Sequence, residues 1–183
     1  MINQRCKNEI LWVVRILLTL AFLLVMGFIF SNSLKTAEQS SAQSSQVTQE
    51  VKDVIETINP DVSFGGANEE EDFNILHSYV RNFGHFAEFA LLCALATWCV
   101  RSYTKKKPFF IIPVPLCVGI ACFDEYLQSF SDGRAKQISD VLTDSLGAIA
   151  GFIFAICIIL IVGVCISKRK KRQIALDGVE ERE

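Results

Sequence analysis

The chain has 183 residues, enough for one domain, with 51% hydrophobic residues and a formal net charge of −2. Its apolar residues are gathered into long uncharged runs separated by polar stretches, which excludes an ordinary soluble globule and points to an all-α polytopic membrane protein. No basic stripe suggests nucleic-acid binding, and the seven cysteines show neither a metal-binding C-x-x-C spacing nor a disulfide framework, so they read as packing residues.

Residues 1–9 form a short N-terminal segment carrying Arg5 and Lys7, and residues 10–30 read as a first transmembrane helix. A basic start and an apolar core also fit a signal peptide, but the run is long and Ser31-Asn32-Ser33-Leu34 offers no small-x-small cleavage site, so a retained helix is expected. Arg15, about one and a half turns in, can snorkel to the near surface.

Residues 31–83 form a polar loop. Its first part, Ser31 to Thr48, is rich in Ser and Gln and reads as loosely ordered. Val47, Val51, Val54, Ile55 and Ile58 then recur at helical spacing, predicting an amphipathic helix at about 47–58 that stops near Asn59-Pro60. The acidic run Glu69 to Asp72 suits a solvated loop leading to the next helix's N-terminus.

The helical pattern resumes at Phe73, and residues 84–100 form the second span, with Gly84 marking a kink or a close helix contact. Residues 101–107 are a basic loop, and 108–130 the third span, in which Pro113 and Pro115 are read as interior prolines that a membrane bundle tolerates. Residues 131–144 are a second loop, opened by the turn signal Ser131-Asp132-Gly133. The fourth span is 145–166, where Gly147 and Gly151 make a small-xxx-small pair, and 167–183 is a basic tail read as disordered beyond its Lys/Arg run.

Charge sets the expected orientation. Arg5 and Lys7, the four basic residues of 101–107 and the five of 168–172 flank one side, eleven in all. The other side has five: Lys35, Lys52, Arg81, Arg134 and Lys136. The richer side is expected in the cytoplasm, so both termini lie inside and the 31–83 and 131–144 loops outside. The expected fold is a four-transmembrane-helix bundle in a bacterial plasma membrane, with the amphipathic helix in the first outer loop.

His77, Arg81, His85 and Glu88 share one face of the second helical region. At about 1.5 Å per residue, His85 and Glu88 lie about 24 and 20 Å from the inner boundary, and Asp124 and Glu125 on the third helix about 24 and 26 Å. All four then fall inside a hydrocarbon core about 30 Å thick. Ionisable residues at that depth pair with one another or line a wet cavity. His85 and Arg81 are expected to face Asp124 and Glu125, with Gln128, Arg134 and Asp140 completing a cluster at the mouth. One reading is a self-satisfied structural network. The other is a site with His85, Glu88, Asp124 and Glu125 in acid–base roles and Arg81, Gln128, Arg134 and Asp140 binding the ligand. The His/Glu/Asp set is too generic to indicate a metal, and neither metal nor cofactor is expected.

Arg81-x-x-x-His85-Phe86-x-Glu88-Phe89, Asp124-Glu125-x-x-Gln128-x-Phe130, Gly133-Arg134 and Asp140-Val141 with Gly147 and Gly151 resemble, in order, the VanZ-like family of bacterial membrane proteins. The resemblance covers about residues 73–165 and the first helix, a region of about 10–165 in all. The chain departs from the pattern at Asn82, where a basic residue is usual, at Asp144, where Asn is usual, and at Phe89, more often Tyr. The family's founding member is associated with low-level teicoplanin resistance, and the family has no settled biochemical mechanism. The resemblance therefore implies a role in the cell envelope, with a lipid-linked precursor or a glycopeptide as partner beside the bilayer. Three function classes follow: a non-enzymatic binding protein, an intramembrane hydrolase or transferase acting on a lipid-linked precursor, and a small transporter. The last fits least, because Phe89 to Val100 and Ile149 to Ile166 carry no charge along a path.

Overall fold

A computed structural model describes residues 4–60, 62–134 and 137–180, with side chains described through Arg172 except that of Lys107. The elements run α1 (Gln4–Ser33), α2 (Ala37–Ile58), α3 (Glu69–Tyr103), a 3-10 turn (Lys107–Ile111), α4 (Pro113–Gln128) and α5 (Ile138–Glu180). Among the described residues there is no strand. Four helices are long and apolar enough to cross a membrane: those of α1, α3, α5, and the stretch Pro108–Gln128 that contains α4.

α3 is the central element and touches every other one. Its apolar half carries Phe89, Leu92, Cys93 and Ala96 into a core completed by Ile29 from α1, Cys117 and Ala121 from α4, and Ala148 from α5. Small residues set the tightest crossing. A Cβ on Gly147 would fall on the backbone oxygen of Phe86, and one on Gly151 on that of Ala90. The small-xxx-small pair thus seats α3 within the same chain. Gly84, by contrast, has open space where a Cβ would stand, so it is not a close helix contact. The outward faces of α1 and α5 remain apolar and exposed, including Leu17, Leu24, Leu160 and Ile161, as lipid-facing surfaces require.

Three local expectations are corrected. The Ser/Gln-rich stretch is not loose: α2 begins at Ala37, ten residues before the first valine of the expected helix. Thr36 and Gln39 form a reciprocal capping box at its start. The hydroxyls that usually compete with a helix are satisfied inside it, with Ser44 Oγ donating to Ser40 O at 2.9 Å and Thr48 Oγ1 to Ser44 O at 2.8 Å. Pro113 and Pro115 are not interior prolines. The helix starts at Pro113 after the 3-10 turn, so both occupy its first turn, where a missing N–H breaks no intrahelical bond. The tail read as disordered continues α5 as helical backbone to Glu180, and its last three residues lie outside the described residues. Lys136, which entered the charge count, also lies outside them.

At the other end of α5 the expected turn is present. Gly133 takes φ 75°, a left-handed backbone that a side chain would strain. The adjacent Asp132 backbone oxygen accepts the Ala37 N–H at 3.0 Å, tying the α4–α5 turn to the start of α2.

Candidate functional site

The polar stripe of α3 forms one wall of a cavity of about 200 Å³. Arg81, Gly84, His85 and Glu88 come from α3, and Asn32 and Ser33 from the end of α1, with Lys35 just beyond it. Ser40, Gln43 and Ser44 of α2 cover it, and Asp124 and Arg134 close the remaining side. α2 is held over the cavity by Lys35 Nζ donating to Gln43 Oε1 at 2.6 Å and by the 2.7 Å hydrogen bond between Ser44 Oγ and His77 Nε2.

The polar partners of α3 differ from those expected. Arg81 and His85 do not pair with Asp124 and Glu125 of α4. Arg81 Nη2 lies 3.8 Å from Asp140 Oδ2, and His85 Nδ1 lies 3.7 Å from Asp144 Oδ1. Both acids belong to α5. α3 and α5 run in the same direction, so each step of four residues on one matches a step of four on the other, and the glycine crossing at Phe86 and Ala90 keeps that register.

Asp124 is instead tied within its own end of the bundle. Its Oδ1 accepts from the Ser33 hydroxyl and its Oδ2 from Gln128 Nε2 at 2.9 Å. Asp124 and Gln128 are both buried, and Gln128 does not reach the cavity lining. Glu125 turns away: its Oε1 accepts the Gln137 N–H at 2.5 Å and braces the start of α5. Glu88 Oε1 accepts from Asn32 Nδ2 at 3.2 Å. The sequence-expected residues His85, Glu88, Asp124, Arg81 and Arg134 are therefore brought to one cavity. Asp140 stands behind Arg81, Gln128 behind Asp124, and Glu125 outside.

Asn32, Ser33, Lys35, Ser40, Gln43, Ser44 and Asp144 were not among the expected site residues. Only Asp144 had a readable signal. It follows Asp140 by four residues, as His85 follows Arg81, which puts two acids and two bases on matching helix faces.

Two cations of the cavity lack a direct carboxylate partner among the described residues. Lys35 Nζ is held by two amide oxygens, Asn32 Oδ1 at 2.9 Å and Gln43 Oε1 at 2.6 Å, neither of which cancels its charge. Arg134 Nε is buried with no hydrogen-bond partner. Among the described residues no carboxylate comes within ion-pair distance of either cation. Burial, and then the neighbouring Arg81 charge, lower the pKa of Arg134 from its ordinary value against the opposing pull of Asp124, Glu125 and Asp140 at longer range, and a guanidinium stays charged at any physiological pH. Of the three cations of the lining, Arg81 is paired with Asp140, whereas Lys35 and Arg134 have no carboxylate at ion-pair distance, and the two lining carboxylates, Glu88 and Asp124, already accept hydrogen bonds. Such a site suits an anion that can take several hydrogen bonds. Among the described residues no group of three or more His, Cys, Asp or Glu side chains is placed to hold a metal ion.

No curated protein and no solved structure matches the chain. A family model described as VanZ/LLP1 matches residues 18–161, which spans α1 from its midpoint, the whole cavity and most of the apolar part of α5, and on this match the chain belongs to the VanZ/LLP1 family.

Proposed function

We propose that the chain binds the anionic, phosphate-bearing headgroup of a lipid-linked envelope precursor in this cavity, at the outer side of the bacterial plasma membrane. One observation carries the reading: Lys35 and Arg134 line the same cavity and neither has a carboxylate partner among the described residues. Cations in a partly buried site without a carboxylate at ion-pair distance favour an anionic ligand. The hydroxyls and amides of Asn32, Ser40, Gln43 and Ser44 supply further donors for oxygens on the headgroup.

Size narrows the ligand. Cavities that enclose drug-sized molecules run from about 300 to 1,000 Å³, and this one is about 200 Å³. It suits a phosphate with a small attached group. A glycopeptide antibiotic is many times larger, so any glycopeptide resistance acts through the bound precursor rather than by capture of the drug.

The orientation follows from charge: the eleven basic residues at the termini and the 101–107 loop are cytoplasmic, and the cavity faces outward. The test is binding of a polyprenyl phosphate to the purified chain in nanodiscs, run beside teicoplanin susceptibility of a Gram-positive host. Lys35→Ala and Arg134→Ala are expected to weaken binding at least tenfold and to abolish any resistance at equal membrane abundance. Unchanged binding in both variants overturns the reading.

A further inference from the structure

We infer that the chain hydrolyses the phosphomonoester it binds, with His85 as the general base that activates water and Asp144 as the residue that positions its imidazole. This rests on the binding reading above and names the chemistry of the same cavity.

His85 and Asp144 stand differently toward the cavity. His85 lines it, and Asp144, buried behind the ring, does not. The 3.7 Å approach joins Nδ1 to Asp144 Oδ1, so Nε2 is the ring nitrogen left for the cavity. Both Nδ1 and Oδ1 are buried without a hydrogen-bond partner. Buried polar atoms in a purely structural network are ordinarily satisfied. A histidine with a carboxylate behind it and an anion site before it is the arrangement that holds one tautomer and stabilises the imidazolium formed during proton transfer. Catalytic hydrogen bonds are often long in a ligand-free site and shorten in the complex, so 3.7 Å is compatible with this role.

Register supports the pairing. Arg81 and Asp140 repeat the same α3-to-α5 contact one turn earlier, and the glycine crossing holds the two helices together just beyond it. Glu88 stands nearly one turn past His85 on the cavity face and is placed to supply a proton.

The step balances with water as the co-reactant. Water oxygen bonds to phosphorus while His85 Nε2 takes its proton. The phosphorus–oxygen bond to the alcohol breaks, and the departing oxygen takes a proton from the carboxylic acid form of Glu88. The products are the free alcohol and inorganic phosphate. His85 then releases its proton to solvent and Glu88 regains one. Arg134 and Lys35 hold the non-bridging oxygens throughout.

The phosphate ester is expected on a lipid, and a soluble ester offers the same chemistry. The experiment uses the full chain in phosphatidylcholine vesicles doped with phosphatidic acid, with p-nitrophenyl phosphate as the soluble arm. Binding and release of inorganic phosphate are measured separately. Release from the lipid alone supports a lipid phosphomonoesterase. Release from both supports the hydrolysis and widens its substrate to free phosphate esters. Binding of phosphatidic acid without release from either arm overturns the hydrolysis and leaves the binding reading intact. Absence of binding overturns both.

Asp144→Asn separates charge from shape. It is expected to lower kcat about a hundredfold or more at unchanged KM and to alter the pH profile, while Asp144→Glu restores part of the rate. A parallel loss of rate, binding and thermal stability in Asp144→Asn would show a structural residue and overturn the positioning role. His85→Ala is expected to release no phosphate, and Glu88→Gln checks the proton donor in a variant of nearly the same shape.

Discussion

The backbone oxygen of Ala90 occupies the space that a side chain on Gly151 would need. The same relation holds between Phe86 and Gly147 one turn earlier, so two backbone contacts fix how closely α5 approaches α3. Everything that Asp140 and Asp144 do for Arg81 and His85 depends on that approach.

Gly151→Ala is therefore expected to destabilise the bundle by about 1–3 kcal/mol, the usual cost of overpacking. Gly163→Ala, on the same helix, meets nothing within 4 Å and should be neutral. Thermal unfolding of the two variants in one detergent decides the matter. Equal melting temperatures would show that the crossing is not as tight as the contact implies.

Gly84→Leu should have the opposite profile. A Cβ at Gly84 meets nothing within 4 Å, and the residue borders the cavity. The added side chain is expected to fill space that a ligand would take, leaving stability within about 0.5 kcal/mol of wild type. Loss of polyprenyl phosphate binding at unchanged melting temperature is the expected result.

Asp124 is expected to be the structural member of the cluster. Asp124→Ala leaves the Gln128 amide without its acceptor in a buried place, at a cost of about 1–3 kcal/mol, while the Ser33 hydroxyl keeps Ile29 O at 2.9 Å. Membrane abundance should fall with it. Arg134→Ala, which removes no described carboxylate pairing, should accumulate normally, and immunoblots of isolated membranes compare the two.

Thr36→Ala removes one half of the capping box that starts α2. The loss is expected to be about 0.5–2 kcal/mol and local to the helix. Hydrogen exchange should rise across residues 37–44, the part of α2 that covers the cavity, and stay unchanged in the core of α3.

The apolar blocks were legible because a membrane-crossing helix must be apolar over its whole length, and four such helices are present. The gathering of His85 and Glu88 on one face was legible from spacing alone. Which helix faces that side was not: spacing fixes a face but not a neighbour. Antiparallel α4 carries acids at the matching depth, yet the small residues of α5 let it approach the polar stripe instead. The first half of α2 was hidden because its signal is a four-residue cap, Thr36 to Gln39, followed by serines whose hydroxyls bond to their own helix. Lys35 could not be singled out, because what sets it apart is that no described carboxylate comes within ion-pair distance, and only the fold reveals what surrounds a side chain.

The distribution of thiols gives the chain its own orientation reporter. Cys93 and Cys117 are sealed in the core, half-buried Cys99 has its Sγ in a 3.4 Å contact with Thr19 Oγ1 between α1 and α3, and Cys122, Cys157 and Cys165 face outward from apolar stretches, where the surrounding hydrocarbon would suppress the reactive thiolate. Cys6 is exposed two residues into α1, beside Arg5 and Lys7. A water-soluble, membrane-impermeant maleimide should therefore read one position in the unmodified protein. With the termini inside, intact cells stay unlabelled and lysed cells gain one adduct, so the sidedness of the whole bundle can be measured without engineering a single residue.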